Sequence, residues 1–179
     1  MLRGPVVRGR PNPLHWKFSE RLRQARRSKQ QSAMALSVAA GLSRNTVSQL
    51  EAERRIPRLP VVEQLANALG ISPAWLAFGL DVQCARTDGE LGCRKFAERA
   101  KQARMARGLT LREVGRRSAS SAAAIRTTES GTMPSLDTVE ALAKALGVSP
   151  AWLAYGEGPM EAPTRRRATQ TEQVQTSDR

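Results

Sequence analysis

The stretch ANALGISPAWLAFG at residues 66–79 returns as AKALGVSPAWLAYG at residues 143–156, identical at 11 of 14 positions. Agreement on that scale within one chain means that it is built twice from one unit, which constrains the fold before any local pattern is considered. Upstream the match thins but keeps register: FSERLRQAR from Phe18 parallels FAERAKQAR from Phe96, and Glu51 falls opposite Glu129, with one residue lost between Glu129 and Pro134. Each unit is then about 65 residues, small for a domain but enough to close a helical core.

Of the 179 residues 40% are hydrophobic and only 4% aromatic, with Ala, Leu, Arg and Gln recurring throughout; this mixture favours helices over sheets. Helical spacing and caps predict five helices in the first repeat. They cover residues 15–28, with Trp16, Phe18, Leu22 and Ala25 available to one face; 32–40, capped by Ser32 and stopped at Gly41; 43–51, capped by Ser43; 59–69, stopped at Gly70; and a short helix opened by Ser72 and Pro73. The second repeat predicts 93–107, 110–118, 121–128, 135–146 and 149–154. The expected organisation is a basic disordered arm over 1–14, a first domain over 15–79, a linker over 80–92, a second domain over 93–158 and a disordered tail over 159–179.

The formal charge of +13 makes a polyanion the natural partner. It is not confined to the ends: residues 15–80 carry +6 and residues 94–158 carry +5. No run reaches the roughly 18 apolar residues of a membrane span, and the Arg-spaced start lacks the apolar stretch of a secretory signal, so a cytoplasmic, nucleoid-associated protein is expected. Cys84 and Cys93, read as lying in the probable linker or at its edge, cannot assemble a tetrahedral zinc set with the lone His15, and reduced thiols are expected. One His, no nucleophile paired with a base and no Gly-rich phosphate loop leave nothing to carry catalysis. The expectation is a non-enzyme without metal or cofactor.

The most informative stretch is SAMALSVAAGLSRNTVSQLEAERRIP, residues 32–57. A helix, a Gly-centred turn and a capped polar helix follow one another, the order that lets a second helix enter the DNA major groove. Ser32, Ser43 and Thr46, with the free amides of the helix starts, suit phosphate oxygens, and Arg54, Arg55 and Arg58 add charge beside them. With GLSRNTVSQLE, a basic loop, Pro57, an amphipathic helix and ALGISPAWLAFG in that order, the chain resembles the lambda-repressor-like, Cro-like (XRE) family of helix-turn-helix regulators over both repeats.

The resemblance implies an all-α fold of two tandem five-helix domains joined by a short linker. It also implies a double-stranded DNA partner and a recognition helix over 43–51 with Arg44, Asn45, Ser48 and Gln49 reading bases. The chemistry agrees: Arg pairs with guanine, and Asn or Gln with adenine, at about 1–3 kcal/mol of discrimination per good pair. Arg26 with Glu51, and Arg104 with Glu129, match the ion pair that closes such domains.

The second repeat departs from the pattern where it matters. Ala119 replaces Gly41, and Ala122 and Ala123 replace Arg44 and Asn45. Base reading there falls to Arg126 and Thr127 with Ser121 at the helix start, while Arg112, Arg116 and Arg117 keep a phosphate-binding surface. Two readings stay open for this repeat: a second DNA site of weak specificity, or a dimerisation or partner-binding module, as in an antitoxin-like or polymerase-contacting protein. The apolar ends, Trp75, Leu76 and Phe78 and their copies Trp152, Leu153 and Tyr155, can fill each core or join the domains. A 13-residue linker reaches at most about 43–47 Å, against roughly 34–36 Å between half-sites one turn apart, so internal pairing and a homodimer are both allowed. The expected action is sequence-specific regulation, repression in particular.

Overall fold

The computed structural model describes residues 13–80 and 92–161. Residues 1–12 of the expected arm, the expected linker except Leu80 and Gly92, Cys84, and the expected tail beyond Glu161 lie outside the described residues. The described residues form ten α-helices, two 3-10 turns and no strand beyond isolated bridges. An entry turn, Leu14–Lys17, leads into α1 (Phe18–Ser28), α2 (Ala33–Ala39), α3 (Thr46–Glu51), α4 (Leu59–Leu69) and α5 (Pro73–Phe78). A second entry turn, Gly92–Lys95, leads into α6 (Phe96–Ala106), α7 (Leu111–Arg117), α8 (Ala122–Glu129), α9 (Leu136–Leu146) and α10 (Pro150–Tyr155).

Local chemistry sets these boundaries. The Ser32 hydroxyl accepts from Ala35 N at 3.0 Å and opens α2; Gly41 then turns at φ +68° and Leu42 N returns to Ser37 O at 2.8 Å. Gly70, also left-handed, lets Ile71 N reach Ala66 O at 3.0 Å and ends α4. Ser72 accepts from Trp75 N at 3.1 Å with Pro73 in the first turn of α5. Phe18, Leu22 and Ala25 recur at helical spacing along α1 and bury together with Leu36, Val47 and Leu50.

Four expectations need correction. Trp16 does not join the α1 face: it lies in the entry turn, where three residues per turn swing it outward, and it is 48% exposed. The helix expected over 43–51 becomes regular only at Thr46, because Arg44 and Asn45 form a tighter turn in which Thr46 N bonds Ser43 O at 2.9 Å. Cys93 is buried rather than linker-like. Order also continues past 158, with Met160 O accepting from Ser149 N at 2.8 Å.

The two repeats pack on each other by exchanging equivalent contacts. Leu59 N donates to Pro134 O at 3.1 Å and Leu136 N to Pro57 O at 3.2 Å, an antiparallel bridge between Arg58 and Ser135. Each pair consists of matching positions of the repeat, so the bridge lies on an approximate two-fold axis. Glu63 of α4 accepts from Gly92 N at 2.6 Å and Cys93 N at 3.0 Å. In return Glu140 of α9 accepts from His15 N at 2.6 Å, and its Oε1 lies 3.0 Å from His15 Nδ1. Each repeat thus supplies the carboxylate that caps the other's entry turn. Across the axis α5 packs on α10, and the buried apolar residues of both repeats form one continuous cluster.

Candidate nucleic-acid interface

On α3 the inward residues Thr46, Val47 and Leu50 are 3%, 0% and 1% exposed. Of the expected base readers, Ser48 and Gln49 are exposed on the helix, and Arg44 and Asn45 are exposed in the turn that leads into it. Two interactions fix the pitch of the helix. Ser37, buried on α2, accepts from Val47 N at 3.1 Å. Arg26 of α1 grips Glu51 with Nε to Oε1 at 2.7 Å and Nη2 to Oε2 at 2.9 Å, its Nη1 donating to Gln31 O at 2.8 Å. The fork raises the Arg26 pKa through its bond to the carboxylate. Arg23 adds a bond to Glu51 O at 2.8 Å.

Around α3, Ser32, Ser43, Arg54, Arg55 and Arg58 are exposed. Thr46 is not: its hydroxyl is buried against Ser43 Oγ at 2.7 Å, which removes it from any phosphate-facing set. Arg58 sits at the bridge between the repeats, so it lies beside the axis rather than beside the start of α3.

Repeat 2 reproduces the frame with a different surface. Arg104 Nε reaches Glu129 Oε1 at 2.7 Å and Nη2 reaches Oε2 at 3.0 Å. Ser121 caps α8 by accepting from Ala124 N at 3.0 Å, and Ser121, Ala123, Arg126 and Thr127 are exposed. Thr127 Oγ1 donates back to Ala123 O at 2.9 Å. Arg112, Arg116 and Arg117 are exposed on α7. At its start Thr110 and Glu113 form a capping box, and the bonds from Thr110 hold the Glu113 carboxyl below its usual range. Gly115 stands where Ser37 stands in the first repeat; a Cβ there would meet Ser120 O at 2.8 Å and Ala122 N at 3.2 Å, so α7 and α8 approach more closely than a serine allows.

Two devices carry no sequence expectation. Arg21 donates to Leu76 O at 2.9 Å and Ala77 O at 2.6 Å, and Arg99 to Leu153 O at 2.9 Å and Ala154 O at 2.7 Å, closing the ends of α5 and α10. Their identity at matching positions of FSERLRQAR and FAERAKQAR is the signal that could have found them. The second is the Glu63 and Glu140 exchange, which no local pattern reveals. Among the described residues no group of three His, Cys, Asp or Glu side chains could hold a metal ion, and no helix is long and apolar enough to cross a membrane.

A family model described as a helix-turn-helix domain matches residues 17–77, and a second described as helix-turn-helix matches residues 101–153. A solved structure described as a hypothetical transcription factor, NHTF, from Neisseria is 28% identical and superposes with a TM-score of 0.35, covering 43% of this chain and 86% of that one. No curated protein matches.

Proposed function

The chain belongs to the helix-turn-helix family through both repeats and is by that membership a DNA-binding regulator; on that premise we propose that it reads a specific duplex sequence through α3 and represses the promoter containing it. The observation that carries this reading is the split surface of α3 and of the turn that leads into it. Arg44 and Asn45 in the turn and Ser48 and Gln49 on the helix are exposed, while the inward side of the helix is locked into the core by Ser37 and the Arg26–Glu51 fork. A backbone already fixed in the free protein loses no further entropy when its side chains pair with base edges. Ser32, Ser43, Arg54 and Arg55 set the register on the phosphates. Occupying a promoter is enough to repress it and needs no further surface.

The test compares a cognate duplex, selected from a random pool, with a scrambled one at fixed salt. Arg44→Ala with Gln49→Ala should abolish the preference and leave salt-sensitive binding to both duplexes. Discrimination that survived the double substitution would remove α3 from the recognition role.

A second reading, a protein partner in the manner of an antitoxin or a polymerase-contacting factor, is favoured by one observation. Met34 and Val38, one turn apart on α2, are 57% and 58% exposed and offer an apolar contact next to the DNA-facing helix.

A further inference from the structure

We infer that a single chain spans two adjacent half-sites of one duplex and reads only one of them, so that its operator is asymmetric: a sequence-specific half under repeat 1 and a half held through its phosphates under repeat 2. This rests on the proposed base reading by α3 and adds what the second repeat does.

The reciprocal bonds of Leu59 with Pro134 and Leu136 with Pro57 relate the two helix-turn-helix units by an approximate two-fold axis. Two such units facing one duplex meet successive turns of the same groove. Reach agrees with this: Glu51 lies six positions before Pro57 and Glu129 five before Pro134, so the ends of α3 and α8 are no more than about 45 Å apart through the bridge, against roughly 34–36 Å between half-sites. α5 and α10 pack on each other within the chain, so the two units are held together without a second copy.

The two units divide the work. Where repeat 1 has Arg44, Asn45 and Gln49, repeat 2 has Ala122, Ala123 and Thr127, leaving Arg126 as the one long donor on α8. Where repeat 1 has Met34, Val38 and Ala39 on α2, repeat 2 has exposed Arg112, Arg116 and Arg117 on α7. Loss of base-reading groups on α8 and gain of cations on the adjacent α7 fall in the same repeat, while the loop cations Arg54, Arg55 and Arg58 belong to repeat 1 alone. Alanine methyls cannot discriminate by hydrogen bonding, whereas each arginine near a phosphate contributes regardless of sequence.

Selection of duplexes by the full chain, followed by hydroxyl-radical footprinting and light scattering of the complex, tests this. The expected result is one chain per duplex, a footprint over two successive turns, and sequence information concentrated in one. Scrambling the read half should weaken binding by at least about 100-fold and scrambling the other by less than about tenfold. Deleting that other half should lower the slope of log K against log salt by about 3. A variant carrying Ala122→Arg, Ala123→Asn, Arg126→Ser and Thr127→Gln should select an inverted repeat. Wild-type selection of an inverted repeat, two chains per duplex, or a footprint confined to one half overturns the proposal while leaving base reading by α3 intact. No selected sequence in either half overturns that base reading and this proposal together.

Discussion

Three backbone positions with positive φ are glycine in one repeat and another residue in the other: Gln30 at 53° against Gly108 at 61°, Gly41 at 68° against Ala119 at 55°, and Glu53 at 56° against Gly131 at 105°. The fold therefore demands the left-handed turn at each site whatever the side chain. Holding a Cβ in that region costs about 1–2 kcal/mol, partly offset by the freedom that glycine gains in the unfolded chain. Ala119→Gly should then stabilise the protein by about 1 kcal/mol in urea unfolding. Glu53 differs from Ala119, because its carboxylate accepts from Ser19 Oγ at 2.6 Å. Cys93 gives a second expectation at this scale. Burial, followed by the hydrogen bond and charge of Glu63, pushes its thiol up to about 12. An acid whose folded pKa lies above its unfolded value stabilises fully below the unfolded value, so this contribution is present at neutral pH and fades between about pH 9 and 12. In a Cys84→Ser background, alkylation of Cys93 at pH 8 should be slow in the native protein and fast once it is unfolded.

At the scale of helices, α2 and α7 share a backbone and differ in surface. Arg112→Ala, Arg116→Ala and Arg117→Ala together should weaken binding to all duplexes alike and reduce the slope of log K against log salt by about 2.7; a change confined to the cognate duplex would instead mean base contact by α7. Much of this scale is legible in the sequence. Ser32, Gly41, Gly70 and the Ser72–Pro73 pair mark their boundaries because caps and left-handed stops act over one turn, and Glu51 opposite Glu129 points to its arginine partners. Legibility fails where the local turn is tighter than helical spacing assumes, or where a residue's environment comes from elsewhere in the chain. Trp16 looks like a face residue until the entry turn coils at three residues per turn. Thr46 looks like a phosphate donor until Ser43 folds over it, and Cys93 looks like linker until α4 of the other repeat supplies Glu63.

For the whole molecule, the exchanged carboxylates couple the stability of the two repeats. Glu63→Ala leaves two backbone N–H groups of the second entry turn without their acceptor, at about 1–3 kcal/mol each. The wild-type chain should unfold in one calorimetric transition, and Glu63→Ala with Glu140→Ala should separate it into two, since the exchanged carboxylates tie each entry turn to the other repeat. A single transition in the double variant would assign the coupling to the remaining contacts between the repeats, the bridge at Arg58 and Ser135 and the packing of α5 on α10.

The bridge at Arg58 and Ser135 also bears on how such a protein responds to its own abundance. Regulators assembled from separate subunits must first find one another, so their occupancy of a site falls off steeply when copies are few. Here covalent continuity keeps the two halves at an effective concentration in the millimolar range, however dilute the protein becomes. If one chain fills its site, as proposed, occupancy at low dose rises in direct proportion to copy number, without a threshold.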